Sequence, residues 1–149
     1  MDEESGFTLI EVVCVLAIIA LLAALVLPAI PRATSQARLA GYAVDIAALL
    51  KGDRSAAIRS HVAVATTLDA DSRTVRSGAR GAIVEIPADV SFEALLAQRC
   101  ADRRTGSTIE FFPSGASCGG AVALSRNGVG YQIRVNWLTG GVEIVAIKA

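Results

Sequence analysis

Few residues in this sequence are of a type and spacing that could do chemistry. Gly115-Ala116-Ser117-Cys118-Gly119 has the form G-x-S-x-G, in which a serine nucleophile sits on a strand-to-helix turn. That chemistry needs an acid and then a histidine downstream. The single histidine, His61, lies upstream, and no helical pattern follows Gly119, so a hydrolase is not expected. Asp69-Ala70-Asp71-Ser72 spaces two carboxylates as a calcium loop begins, yet it lacks the glycine and the distal bidentate glutamate; a solvated hairpin turn is expected instead. Two cysteines in the polar region and a lone histidine lack zinc-site spacing. No metal, no cofactor and no catalytic residue is expected.

One titratable residue stands out by its surroundings. Glu11 is followed by Val12 to Leu27, a run with no charged residue, glycine or proline. A carboxylate inside an apolar helix costs several kcal/mol unless it is paired, which makes it a functional candidate by default. The bland reading is that Glu11 snorkels to the headgroups near the start of the helix.

The elements that must position Glu11 follow from the same run. Phe7 to Leu27 supplies 21 residues, enough at about 1.5 Å per residue to cross a hydrocarbon core roughly 30 Å thick. Met1 to Gly6 is too short and too polar to be a secretory signal and has no basic segment. Cleavage after Gly6 would keep the apolar helix on the mature chain and make Phe7 the new N-terminus. The α-amino group of Phe7 would then lie one turn from Glu11, so it could meet the glutamate of a neighbouring chain only if the two chains were axially staggered, as in a helical filament.

The 149 residues are 53% hydrophobic and 19% charged, with 14 basic and 14 acidic residues, a composition that excludes disorder. The first six residues hold three acids and no base, so the remainder carries 14 bases against 11 acids, a net +3. Arginines 54, 59, 73, 76, 80, 99, 103 and 104 are interspersed with acids rather than clustered, which argues against a nucleic-acid partner.

Pro28 and Pro31 should bend or interrupt the helix. From Thr34 to about Ser60 the pattern is again helical, with Leu39, Tyr42, Ile46, Leu49 and Ala56 on one face and Arg38, Asp45, Lys51 and Arg54 largely off it. Asp45 with Leu49 and Leu50 suggests where a folded domain packs. Gly41 and Gly52 weaken this helix by up to about 1 kcal/mol each. A helix from Phe7 to Ser60 would be roughly 80 Å long, more than one small domain can bury, so part of it should face other subunits.

After His61 the texture is that of strands. Val62–Leu68, Arg73–Arg76, Ala82–Ile86, Ile109–Phe112, Ala121–Leu124, Tyr131–Trp137 and Val142–Ile147 are the candidates, with Asp69–Ser72 a turn and Phe92–Gln98 either strand or short helix. The expected class is α+β: a long N-terminal helix, transmembrane in its first half and kinked near Pro28, packed on a small antiparallel sheet or sandwich. The segments are 1–6 leader, 7–30 transmembrane helix, 31–60 continuation of the helix, and 61–149 a β-rich domain.

Gly6-Phe7-Thr8-Leu9-Ile10-Glu11-Val12 before an apolar helix resembles the signal of type IV pilins and type II secretion pseudopilins. Phe111-Phe112-Pro113-Ser114-Gly115-Ala116-Ser117, with Gly119-Gly120 and Val135-Asn136-Trp137-Leu138-Thr139-Gly140, is similar to minor pseudopilin H and its FimT-type pilin relatives. The resemblance implies cleavage between Gly6 and Phe7 by a prepilin peptidase, N-methylation of Phe7, and Glu11 as the assembly contact at the fifth mature position. It implies a structural subunit in or near the tip of a short periplasmic pseudopilus, held in the bacterial inner membrane with its C-terminal domain in the periplasm. Its partners would be other minor pseudopilins and the major one. The departure is the leader, acidic at Asp2, Glu3 and Glu4 where the family's is typically basic. The alternative, from a different functional class, is a FimT-type minor pilin that binds DNA for uptake, for which Lys148 alone supplies little basic tail.

Cys14 falls inside the apolar helix, where a thiol behaves as a small hydrophobe. Cys100 and Cys118 are 18 residues apart in the polar part. In an oxidising compartment they would be a disulfide; otherwise they are two unpaired buried thiols.

Overall fold

The structure, a computed structural model, describes residues 6–26 and 34–148. They fall into two compact units, Met1–Ala33 and Thr34–Ala149. In the first, α1 spans Leu9–Val26. The expected bend at Pro28 and Pro31 lies outside the described residues, as does the part of the expected span beyond Val26.

The second unit begins with α2, Gln36–Ser60. Ser35 has extended backbone, and its hydroxyl accepts the N–H of Arg38 at 3.3 Å, so it caps the helix start. His61 closes the other end in the left-handed conformation, φ 56°. The buried seam runs Leu39, Ala43, Ile46, Ala47, Leu50, Asp53 and Ala57. This corrects the expected stripe: Leu39 and Ile46 are on it, whereas Tyr42, Leu49 and Ala56 are half-buried flanks and Asp45 is exposed. The reason is helix geometry: Leu39, Ala43, Ile46, Leu50, Asp53 and Ala57 recur at spacings of three and four, and Tyr42, Leu49 and Ala56 each fall one residue before that line.

Ten strands follow: β1 Val64–Asp69, β2 Thr74–Arg76, β3 Ile83–Glu85, β4 Ser91–Leu96, β5 Arg99–Cys100, β6 Arg103–Arg104, β7 Thr108–Phe111, β8 Gly120–Arg126, β9 Val129–Val135 and β10 Val142–Lys148. All pairings are antiparallel. One sheet has the order β3-β2-β1-β7 and the second β10-β9-β8-β4, with β5 and β6 forming a separate two-stranded hairpin. Consecutive strands meander within each sheet, but β4 crosses to pair with β8 and β7 returns to pair with β1, so the arrangement is more than a simple meander. The segment at 92–98 is strand as far as Leu96, fixed by the register Phe92↔Leu124.

Period-2 alternation aims Leu68, Val75, Ile109 and Phe111 of the first sheet, and Val122, Leu124, Ile133 and Val135 of the second, into one core with the α2 seam. Each such side chain contributes about 1.5–3 kcal/mol on burial. At one end of this core, Asp89 accepts the N–H of Thr34 at 2.8 Å and its hydroxyl at 2.9 Å, and pairs with Arg126 at 3.1 Å. Arg126 also donates to the Thr34 carbonyl. The chain entering α2 is thereby tied to the loop before β4 and to the β8–β9 hairpin.

Candidate functional site

The first candidate site is the start of α1. The Thr8 carbonyl accepts the N–H groups of Glu11 at 3.0 Å and Val12 at 3.3 Å, which closes the first turn and puts Glu11 inside it. A carboxylate there lies at the positive end of the helix dipole. Phe7, Glu11 and Val15 follow at spacings of four on one face, and with Val12 and Leu16 they line an open, mostly apolar groove. Phe7 is 84% exposed, and every described side chain of α1 is exposed. Glu11 therefore has no partner of its own among the described residues, and the helix presents apolar surface on all sides. Among the described residues no helix is long and apolar enough to cross a membrane. Cys14 is a free, exposed thiol on this helix.

The second grouping lies in the β-rich unit, where the two C-terminal motifs meet around one side chain. Arg54 Nε donates to the carbonyl oxygens of Gly115 and of Thr139, both at 3.1 Å. Gly140, at φ 62°, is required by this contact: a Cβ there would stand 2.1 Å from the Gly115 oxygen and 2.9 Å from Arg54 Nε. The turn at 136–141 is further held by Asn136, whose side-chain oxygen accepts the N–H groups of Leu138 at 2.9 Å and Thr139 at 3.0 Å. Cys100 and Cys118 are joined as a disulfide, with Cα atoms 5.5 Å apart.

Two polar clusters escaped the sequence reading. Asp53 is 1% exposed, and its carboxylate accepts the hydroxyls of Thr66 and Ser77 and the N–H groups of Gly78 and Ala79. It fastens α2 to β1 and to the β2–β3 turn. Helical spacing places Asp53 on the same seam as Ile46 and Leu50, but nothing local marks it as buried, since its partners come from distant segments. The Thr34–Asp89–Arg126 clamp is the other cluster. Thr34's N–H and hydroxyl, with the Arg126 guanidinium, hold the Asp89 carboxyl below its usual range.

The residues first considered for chemistry are placed in structural roles. Ser117 donates its hydroxyl to the Asn136 carbonyl at 3.1 Å and accepts the Gly119 N–H at 2.9 Å. Gly120 then begins β8 rather than a helix, and His61 is the cap of α2. The Asp69 carboxylate accepts the N–H groups of Asp71 at 2.9 Å and Ser72 at 3.0 Å. Those bonds, chiefly from Ser72, lower its pKa. Among the described residues no three His, Cys, Asp or Glu side chains are grouped to hold a metal ion.

Comparison with known proteins agrees with the motifs. A family model described as the prokaryotic N-terminal methylation motif matches residues 1–27. Type II secretion system protein H of Xanthomonas campestris pv. campestris is 29% identical over 140 residues, covering 93% of this chain and 81% of that protein. The crystal structure of the type IV minor pilin FimU of Pseudomonas aeruginosa PAO1 superposes with a TM-score of 0.55 at 16% identity, covering 75% of this chain and 91% of that one. The minor pseudopilin EpsH from the type 2 secretion system of Vibrio cholerae gives 0.57 at 12% identity, covering 72% and 96%. At these identities the structural likeness concerns the fold.

Proposed function

We propose that this chain, a type IV pilin-like protein most like the type II secretion minor pseudopilin H, serves as a structural, non-enzymatic subunit at or near the tip of the pseudopilus that supports export of folded proteins. The observation that carries the proposal is the N-terminal turn. Gly6-Phe7 stands before an apolar helix whose first turn holds Glu11, on the same face as Phe7 and without a partner among the described residues of its own chain.

In this reading a prepilin peptidase cuts between Gly6 and Phe7 and the new Phe7 amine is methylated. The residues from Phe7 to Leu27, prolonged to about residue 30, lie in the inner membrane, and residues 31–60 continue toward the periplasm ahead of the β-rich domain, 61–149. A cation at Phe7 of one subunit then answers Glu11 of an axially staggered neighbour, which removes the cost of an unpaired carboxylate in lipid. Periplasmic exposure keeps Cys100 and Cys118 oxidised. The partners are the other minor pseudopilins and the major one. Uptake of DNA by a FimT-type pilin is less well supported, because β10 ends with Lys148 as its lone base and carries Glu143.

Intact-mass and N-terminal analysis of the chain expressed in membranes tests the reading. A mature chain that begins at methylated Phe7 is expected. A chain that keeps Met1–Gly6 while export proceeds through the same system overturns the proposal.

A further inference from the structure

The turn between β9 and β10 displays apolar side chains from a rigid frame. Trp137 is 67% exposed and Leu138 64%, although Asn136, Gly140 and Arg54 fix the backbone around them. A large apolar pair held rigidly in water is preorganised for a contact, since little conformational entropy is left to lose on binding.

The β5–β6 hairpin is linked to this turn through Cys118. Arg99 and Arg104 face each other across its ladder, and like charges directly opposite weaken a two-stranded ribbon. Its turn puts the non-glycine residues Ala101 and Asp102 in the left-handed region, at φ 47° and 63°, which adds local cost. The hairpin is held all the same, by the Cys100–Cys118 bond, by the Thr105 N–H on the Gln98 carbonyl at 3.2 Å, and by the Thr105 hydroxyl on the Ala97 carbonyl. Cys118 in turn joins it to the aromatic turn: Ser117 donates its N–H to the Trp137 carbonyl at 2.9 Å, and Leu95, Ala97, Cys118, Arg134 and Trp137 line a single depression.

We propose that Trp137 and Leu138, together with Arg99 and Arg104 of the hairpin that Cys118 joins to their turn, form a docking knob for the head of a different subunit, which offers an apolar pocket rimmed by carboxylates. The proposal rests on the pseudopilin reading and names one contact within it. Charge complementarity selects the occupant. Arg103 is paired with Glu110 at 3.3 Å, and Arg134 is engaged by the Gln132 side-chain oxygen at 2.7 Å. Among the described residues Arg99 and Arg104 then have no carboxylate partner and are free to meet one; two guanidiniums are too few for the run of phosphate contacts that nucleic acid requires. A second copy related by two-fold symmetry would bring Arg99 and Arg104 against themselves. Tryptophan and arginine are the side chains that most often carry interface energy.

The test places the photocrosslinking residue p-benzoylphenylalanine at Leu138 of the full chain, in cells that carry the complete secretion system. The expected product is an adduct with a different pilin-like subunit, mapped to a segment bearing Asp or Glu. Its yield should fall about tenfold or more with Trp137→Ala or Arg104→Glu, in line with a hot-spot contact. Reversal of the mapped partner acid to arginine should restore the yield with Arg104→Glu. The same probe at Asp71, an exposed turn of the other sheet, should give no adduct that depends on Arg104. Formation of the Cys100–Cys118 bond on non-reducing gels confirms that each variant has folded. An adduct with the same chain, with lipid or with nucleic acid overturns the proposal, as does no adduct from a chain that is processed and required for export. A chain neither processed nor required, yet still giving the charge-dependent adduct, overturns the pseudopilin reading and leaves the docking knob standing.

Discussion

The Asp53 carboxylate, buried on α2, accepts the hydroxyl of Thr66 in β1 at 2.6 Å, and through this contact the helix and the first sheet are bonded as well as packed. With Ser77, Gly78 and Ala79 also donating to it, the carboxylate is fully engaged without a counter-ion. Asp53→Ala would leave two buried hydroxyls, those of Thr66 and Ser77, and the more exposed N–H groups of Gly78 and Ala79 without this acceptor, and should lower stability by about 3–5 kcal/mol. Asp53→Asn keeps the shape and one acceptor and should cost about 1–3 kcal/mol. Urea melts of the detergent-solubilised chain should rank wild type above Asn above Ala; equal midpoints for Asp53→Ala and wild type would contradict the role given to this cluster.

Much of the fold could be read from the sequence because it follows local pattern. β-branched alternation located β1, β3, β7, β8, β9 and β10 within a few residues, and Ser35 and His61 are ordinary helix boundaries. What escaped was set by distant partners. Asp53 is a polar residue on a helix until Thr66 and Ser77 are brought to it. The β5–β6 hairpin has no apolar alternation, and it is held by the bond to Cys118, the contacts of Thr105 and the Arg103–Glu110 pair. The seam of α2 lies one residue beyond the expected Tyr42, Leu49 and Ala56, because the sheets that decide which line is covered come from distant segments. At the N-terminus the reading proposed for Gly6, Phe7 and Glu11 rests on local sequence alone, since the three stand within six residues of one another.

Glycines on α2 and beside it should respond with opposite signs. A Cβ at Gly41 or Gly52 would meet nothing within 4 Å, so alanine at either should stabilise the isolated chain by up to about 1 kcal/mol through helix propensity. A Cβ at Gly78 would stand 2.3 Å from the Ala65 carbonyl oxygen, which is backbone and cannot step aside. Gly78→Ala should cost about 1–3 kcal/mol or more, and Thr66 and Asp53 lie close enough for it to disturb their bond. Thermal unfolding of the three single variants decides the matter, and a stabilised Gly78→Ala would refute the close approach.

Asp89 sets part of the acid sensitivity. Thr34's N–H and hydroxyl, and then Arg126, lower its pKa from the ordinary 3.8. Between the folded and unfolded values the unfolded chain binds more protons. The contribution of Asp89 is therefore complete above the ordinary carboxylate range and is lost as pH falls through the folded value. Asp89→Asn should flatten this part of the stability profile below about pH 4 and leave the slope near neutrality unchanged. A variant whose acid limb coincides with that of the wild type would show that the clamp does not carry the effect.

Glu11→Ala tests the assembly contact. It removes a charge from an apolar helix, so membrane insertion should be retained or improved. In the proposed assembly the intermolecular partner of the Phe7 amine is lost at the same time, and incorporation into the filament should fall about tenfold or more, as for a buried charge left unpaired. Glu11→Gln, which keeps a hydrogen-bond acceptor without the charge, should lie between. Fractionation measures insertion, and crosslinking through the exposed Cys14 measures neighbour contact on the same helix. Normal neighbour contact and export with Glu11→Ala would remove Glu11 from the assembly role.

The Cys100–Cys118 bond connects residues 18 apart, and in the chain-entropy model closing such a loop is worth about 3 kcal/mol. A double Cys100→Ser, Cys118→Ser variant should lose roughly that amount. Reductant should lower the stability of the wild type by the same amount and leave the variant unchanged, because the remaining Cys14 lies outside the β-rich unit. The loss has a local consequence as well. With the bond gone, the opposed Arg99 and Arg104 are held by the hydrogen bonds of Thr105 and the exposed Arg103–Glu110 pair, and the hairpin should open before the rest of the unit unfolds. Amide exchange should therefore speed up at residues 99–104 in the double variant while β8 and β9 stay protected. Uniform exchange across all three segments would mean that the bond stabilises the unit as a whole and does nothing particular for the hairpin.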